Sequence, residues 1–260
     1  DDGTLKPSKL PSERQAQLKA RFDVLVQQSP ATLHRYPDYR PPLTLEFRAG
    51  MGANAFALPG GKIVMTDGIV KAAADKGLPD DALVGVLAHE IGHVVHRHTT
   101  RMVVEQGVLN MGLGLALGDV SGIVSTGASV MTGLAYSRSH EREADCYAIA
   151  LMRHTALPTA PMGQLLLAIA RDEEDEEGKG KSKDKGSDKD KKAPGDNNPA
   201  DAAHAPTPQS AASAPDTARK RKLGKEAESH PVWSLLSSHP ETVKRATELE
   251  QGHAPHCAKS

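Results

Sequence analysis

A chain of 260 residues with a formal net charge of −1 is long enough to bury a core, and its overall charge does not favour nucleic acid or an anionic membrane as a partner. Hydrophobic residues make up 38% of the chain. This is below the globular average of about 45–50%, and the deficit is uneven along the chain, which indicates a folded part diluted by an unfolded part. Two cysteines, Cys146 and Cys257, exclude a disulfide framework but leave one bridge open.

The N-terminal part predicts a helix followed by short strands. Ser12 and Gln15 have the spacing of a capping box, which places the start of a helix at residue 12. Apolar and polar residues alternate in 43–47 (LTLEF), and Ile63 and Met65 fall on one side of the stretch 60–66 (GGKIVMT). Both patterns predict β-strands. The chain begins without Met and without a signal-peptide pattern, which indicates a mature chain or a fragment with any membrane anchor upstream of residue 1.

Another strand is predicted at residues 54–58 (NAFAL). Pro59 follows it, and since proline has no backbone N–H to donate, it favours a position at the edge of a sheet. The pair Gly60–Gly61 then favours a turn. Two helices come next: a short one at 68–76, and a long one over about residues 81–106 that Asp80 or Asp81 caps.

The long helix contains the motif HEIGH, which has the spacing of a metal site. His89 and His93 are one helical turn apart, so both imidazoles leave the same face and can converge on one tetrahedral zinc ion. Glu90 can reach a water molecule activated by that ion without binding the metal, as a general base does. Gly92 leaves room for a neighbouring element to approach. Because histidines on a helix surface also match this motif by chance, a third ligand is required.

Three residues after the motif are poor candidates for that ligand. Thr99 stands where a metzincin has its third histidine. His96 lies too far along the helix and His98 points elsewhere, so both are predicted to support the ligands, to cap the helix or to lie at the surface.

A helix predicted at residues 138–154 supplies better candidates. Glu141 and Asp145 are again one turn apart, so one can bind zinc while the other accepts a hydrogen bond from a ligating imidazole. Glu143 points to a different side. Asp145 has apolar neighbours in the sequence, and an aspartate in that setting needs a partner.

Residues 108–135 contain no Lys or Arg and a single acidic residue, Asp119. Their length would suit a membrane span. Glycines and polar residues interrupt the middle, so two short buried helices are predicted, with a membrane span or a membrane-dipping hairpin as the alternative.

The composition changes after a helix predicted at 161–171. Residues 172–229 hold an acidic run, a basic run and almost nothing apolar, which predicts a disordered insert; a solvated linker is favoured over a regulatory or binding tail. Order is expected again at 230–252, before a tail at 253–260. The predicted organisation is one domain, formed by residues 1–171 and 230–252, that the insert interrupts.

Four motifs in this order, NAFALPGGKIVMTDG, HEIGH, SRSHEREAD and SSHPETVKR, resemble one family over roughly residues 43–170 and 231–250. They are similar to the HtpX and CAAX-prenyl-protease group of gluzincin zinc metallopeptidases, and within it to the soluble, BepA-like bacterial branch. The resemblance implies an α+β fold: a mostly helical, zincin-like domain with a small edge-strand sheet. The insert is unusually long for this family, and the transmembrane helices of the HtpX type are not evident.

The resemblance also implies roles for individual residues. His89, His93 and Glu141 would bind one Zn²⁺ ion per chain, Glu90 would be the catalytic base, and Asp145 would support a ligand. It also implies roles for a late His-Pro motif and for an edge strand.

The family's late His-Pro motif falls on His239 and Pro240, with its accompanying arginine on Arg245. His239 would stabilise the developing oxyanion or bind zinc as a fourth ligand in a latent state. The alternative is a plain helix start with Pro240 at the first position. The family's edge strand is expected to take substrate as an added strand, and it corresponds here to Asn54, Ala55, Phe56 and Ala57. A plain edge strand that Pro59 blunts is the alternative.

These observations favour a zinc endopeptidase acting on a polypeptide substrate, with no nucleic acid partner. The resemblance suggests misfolded or damaged envelope proteins as substrates and a bacterial envelope location, with membrane association through a missing N-terminal segment or residues 108–135. The main alternative is a latent protein with this fold that acts as a chaperone or binding module. A structural zinc site is disfavoured because such sites usually have four protein ligands and are rich in Cys.

Overall fold

The computed structural model describes residues 5–104, 136–183, 235–240, 242–251 and 257. Its strands are β1 (Lys6–Pro7), β2 (Thr44–Ala49), β3 (Ala55–Ala57) and β4 (Lys62–Thr66). Its helices are α1 (Ser12–Gln28), α2 (Asp67–Asp75), α3 (Asp81–Val95), α4 (Arg138–His154), α5 (Ala160–Lys183), α6 (Leu235–Ser238) and α7 (Thr242–Glu250), with a 3-10 turn at Ala31–Leu33 and a further helical stretch at 98–104. The predicted α+β class is confirmed.

The four strands form one mixed sheet in the order β1-β2-β4-β3. Strand β2 runs parallel to β4, while β3 runs antiparallel to β4 and lies at the edge. Alternate side chains of the strands face the main core, among them Phe47, Ile63 and Met65, whereas Phe56 and Val64 pack together on the opposite face. The sheet therefore places β3 as an edge strand, as the proline after it predicts.

Helix α3 is buried on all sides: every residue from Ala82 to Val95 is buried. A helix that is apolar all round belongs in the centre of a core. Two glycines allow close helix packing. A Cβ on Gly92 would lie 3.1 Å from the Cα of Ala144 on α4, and one on Gly163 would lie 2.5 Å from the backbone nitrogen of Glu250 on α7. The prediction that Gly92 admits a neighbouring element is confirmed.

The predicted helix over residues 81–106 is wrong in one respect, because α3 ends at Val95. Arg97 takes a left-handed conformation with φ of 57°, which interrupts the helix before the 98–104 stretch. The Arg97 guanidinium lies over the rings of Tyr36 and Tyr39, 5.8 and 4.9 Å from their centroids. This interaction outside the helix is not visible in a helical periodicity.

Three other local predictions differ from the structure. Ser12 is the first residue of α1 and makes no capping hydrogen bond, and the side chain of Gln15 donates to the Leu10 carbonyl instead. Pro240 lies in a turn before α7 rather than at its first position. Helix α5 continues to Lys183, past residue 172, because Glu and Lys in that run are good helix formers.

A disulfide bond links Cys146 on α4 to Cys257, which are 111 positions apart in the sequence. By its contacts the chain divides into two units, residues 1–174 with 231–260, and residues 175–230. Residues 108–135 and most of the predicted insert lie outside the described residues. Among the described helices, none has the length and apolar character needed to cross a membrane.

Candidate active site

Helices α3 and α4 bring three predicted ligands together. The Nε2 atoms of His89 and His93 are 2.9 Å apart, and the carboxylate of Glu141 lies 3.5 Å from the first and 3.4 Å from the second. All three side chains are buried. Because each helix contributes residues from one face, the close α3–α4 contact at Gly92 sets the distance between the imidazoles and the carboxylate.

His239 joins this group from the C-terminal part of the chain. Its Nδ1 lies 3.1 Å from Glu141 Oε1, and its Nε2 lies 3.3 Å from the Ala55 carbonyl oxygen and 3.6 Å from Glu90 Oε1. One ligand atom from each of His89, His93, Glu141 and His239 lies within 4.8 Å of all the others. The structure therefore gathers all four residues that the sequence singles out for metal binding.

The donor set fits a zinc ion. Two imidazole nitrogens and one carboxylate, with a fourth position open to a water molecule or His239, are typical of catalytic zinc. Glu90 is buried beside them, and its Oε2 has no hydrogen-bond partner among the described residues. A buried carboxylate oxygen of that kind needs a polar group, and water on a metal would supply it. Burial also raises the pKa of Glu90.

Asp145 and Arg245 form the layer behind the ligands. Asp145 Oδ1 lies 2.9 Å from His89 Nδ1, and the Arg245 guanidinium donates to both Asp145 oxygens at 2.6 and 2.7 Å. Arg245 also pairs with Glu141. Burial opposes the charged form of each group, yet Arg245 lowers the pKa of Asp145, and Asp145 with Glu141 raises the pKa of His89 to about 9. Asp145 thus contacts both a predicted ligand and the arginine.

The sequence left three roles open for His98: supporting a ligand, capping the helix or lying at the surface. Its Nδ1 lies 3.0 Å from His93 Nδ1, and its Nε2 lies 3.1 Å from Glu143 Oε2. Burial and the neighbouring His93 lower the pKa of His98 to about 2. His96, by contrast, directs its Nε2 to the Leu33 carbonyl oxygen at 3.3 Å. Of the two, His98 is the one that contacts a predicted ligand.

Sequence reasoning missed Tyr136. Its ring stacks on His93 with centroids 3.7 Å apart, and its hydroxyl lies 2.9 Å from Thr99 Oγ1. The residue opens the YSRSHEREAD stretch directly before α4, so its position next to the predicted ligand helix was the available signal. Burial raises the pKa of Tyr136, so its hydroxyl remains a neutral donor.

The edge strand presents only half of its predicted residues outward. Asn54 O accepts from Thr66 N and Leu58 N donates to Lys62 O, so alternate residues of this segment bond to β4. By that alternation Phe56 also faces β4, and Ala55 and Ala57 turn their backbone groups to the free edge.

Side chains already meet these outward groups. Asn54 Oδ1 accepts from Ala55 N at 2.8 Å, and Ala55 O faces His239. The hydroxyls of Thr99 and Tyr136 donate to Ala57 O at 3.2 and 3.3 Å. Asn54 and Phe56 therefore direct their backbone groups to β4, while Ala55 and Ala57 direct theirs to the free edge. The substrate-binding role of these four residues stays a prediction.

A family model decides what this arrangement belongs to. Residues 12–252 match the model of Peptidase family M48. The chain belongs to that family. Its M48 membership agrees with the gluzincin resemblance of its motifs.

Relatives of this M48 family member carry protease names. It is 29% identical over 146 residues to a putative beta-barrel assembly-enhancing protease of Vibrio cholerae, over 51% of this chain and 29% of that protein. It is 34% identical over 102 residues to the mitochondrial metalloendopeptidase OMA1 of Saccharomyces cerevisiae, over 38% of this chain and 28% of the yeast protein. The matched part thus spans less than a third of each relative.

Proposed function

We propose that this M48 peptidase is a zinc-dependent endopeptidase with one Zn²⁺ held by His89, His93 and Glu141 and with Glu90 as the catalytic base. The observation that carries the proposal is the convergence of the ligand atoms within 4.8 Å beside a buried carboxylate. When bound, zinc would polarise the peptide carbonyl and make a water molecule more acidic. The remaining steps belong to residues of this chain.

Glu90 would move the proton. Its raised pKa makes it a better base than an ordinary carboxylate, so it can take a proton from water and return it to the leaving amine. A cavity of about 10 Å³, room for one water molecule, borders Glu90 and His89 and is otherwise lined mainly by apolar side chains. This surrounding would keep bulk water away from the proton transfer.

His239 would act as a switch beside the substrate strand. If its Nε2 donates to Ala55 O, its Nδ1 lone pair is available to a cation as a fourth ligand. An extended peptide that adds to β3 would donate its own N–H to Ala55 O and so compete with His239. His239 would then be released to stabilise the developing oxyanion. This arrangement supports a largely latent resting state.

Unfolded polypeptide is the substrate class that strand addition favours, because an extended segment must be free of its own partners. We propose misfolded or damaged envelope proteins, in keeping with the name of the Vibrio relative. A bacterial envelope location also agrees with the Cys146–Cys257 disulfide, since disulfides persist in oxidising compartments such as the periplasm.

The decisive experiment is cleavage of unfolded casein by zinc-loaded protein and by Glu90→Gln. Loss of cleavage in the variant with zinc retained would support the proposal. Equal cleavage by both would contradict the role of Glu90. If neither cleaves while both bind zinc, His239→Ala becomes the next variant: cleavage by it would support latency, and continued inactivity would favour the alternative, a chaperone or binding module.

A further inference from the structure

A row of polar side chains leads away from His93, and its composition differs from that of the polar layer behind His89. His89 Nδ1 meets a carboxylate directly, at Asp145. His93 Nδ1 instead meets another imidazole, His98, at 3.0 Å, and a carboxylate follows only beyond it, at Glu143. The rings of His93 and His98 are fully buried.

We propose that His98 is a positioning residue that holds the proton of His93 on Nδ1 by a relay of two hydrogen bonds, one from His93 to His98 and one from His98 to Glu143, with no transfer of the proton. The inference rests on the proposed zinc-dependent function. A neutral imidazole carries one N–H. If His93 binds zinc through Nε2, its proton must be on Nδ1 and is donated to His98 Nδ1. The proton of His98 is then on Nε2 and is donated to Glu143 Oε2. The two contacts allow this single assignment.

The backbone is shaped for this contact. On a continuous helix, residues five positions apart differ by about 140° in direction, so His98 could not reach the ring of His93. The left-handed Arg97 breaks the helix between them and turns His98 back. A second buried ring, His140, stacks on His98 with centroids 4.4 Å apart, which restricts its rotation.

The end of the relay is held by cations. Glu143 Oε1 accepts from Arg35 at 2.9 Å, and Arg101 lies 3.5 Å from Oε2. The cluster of His96, His98 and Glu143 has the composition of a second metal site. Two neighbouring guanidinium groups disfavour another cation there, and they keep the carboxylate charged as the acceptor that the relay needs.

The test measures zinc affinity of the full chain by competition with a chelating dye. His98→Leu removes both hydrogen bonds and should weaken zinc binding about 10–100-fold, the usual loss when a partner of a ligating histidine is removed. His98→Gln keeps one acceptor and one donor and should recover most of that loss. His96→Leu, the matched control two positions away, should bind zinc like the unaltered protein.

A second measurement uses the unaltered protein. In its zinc-loaded form, ¹⁵N NMR identifies which ring nitrogens of His93 and His98 carry a proton. Protons on His93 Nδ1 and His98 Nε2 are expected. A proton on His98 Nδ1, unchanged affinity in His98→Leu, or equal losses in the Leu and Gln variants would overturn the relay. These readouts do not depend on cleavage, so a negative casein result leaves them decisive. Absence of zinc binding by the unaltered chain would overturn both proposals.

Discussion

Replacing Asp145 with asparagine tests how much the contacts of Asp145 with Arg245 and His89 contribute to stability and to zinc affinity. Asp145 is buried, and its two oxygens serve Arg245 and His89 at the same time. An amide of the same size has only one acceptor oxygen. Whichever way it is turned, its NH₂ group faces a donor, so one hydrogen bond becomes a clash of donors.

The magnitude follows from the buried pair. Breaking such a pair costs about 3–5 kcal/mol, and because Arg245 keeps Glu141 as a partner we take the lower end, about 3 kcal/mol. At about 2–4 °C per kcal/mol for a folded part of this size, the melting temperature of the zinc-free protein should fall by about 6–12 °C. Zinc affinity should fall about 10–100-fold, because His89 loses its carboxylate partner.

Circular dichroism melts and chelator competition on Asp145→Asn measure both effects. Asp75→Asn is the matched control: it removes an exposed helical ion pair with Lys71 and should cost less than about 0.5 kcal/mol. The folded pKa of Asp145 is depressed, so its stabilisation is present above about pH 4 and is lost as pH falls below that value; the variant should show a shallower decline there. Asp145→Asn with the melting temperature and zinc affinity of the control would refute this reasoning.

Three further predictions concern other parts of the molecule. Burial raises the folded pKa of Glu90, so its charge destabilises the zinc-free protein at neutral pH; Glu90→Gln should melt higher at pH 7 and lose that advantage towards pH 4, and a lower melting temperature at pH 7 would contradict this. Gly163→Ala should destabilise by about 1–3 kcal/mol in chemical denaturation because its Cβ would meet the backbone of α7, and a gain in stability, as expected for Ala in an open helix, would show that α7 does not pack there. Cys257→Ser should lower the free energy of unfolding by about 4–5 kcal/mol because it opens a loop of 111 positions; the difference should vanish under reductant, and its persistence there would assign the loss to packing instead.

Much of the fold and of the candidate metal centre could be predicted from local patterns. The relative position of two residues one helical turn apart, such as His89 and His93, follows from the sequence, because a helix places residues with that spacing on the same face. The edge strand was likewise marked by Pro59. The helix predicted at residues 138–154, which carries Glu141, has the same bounds in the structure, Arg138–His154.

What could not be predicted depends on partners distant in the sequence. The end of α3 follows from Arg97, whose guanidinium lies over Tyr36 and Tyr39. The role of His98 depends on that break, since an uninterrupted helix would turn it away from His93. Likewise, the outward groups of Ala55 and Ala57 are met by side chains from three other segments, which no periodicity within the strand reveals.

The disulfide has a consequence for the fate of a cut chain. Cys146 follows Asp145 on α4, and its bond reaches Cys257, beyond α7. A single break of the backbone anywhere between these two cysteines would leave one covalent molecule, because both fragments still share the bridge. After a break between residues 146 and 239, the fragment bearing His239 and Arg245 would stay tethered to the fragment bearing His89, His93 and Glu141. Such a nicked protein would separate into two bands on a gel only after reduction.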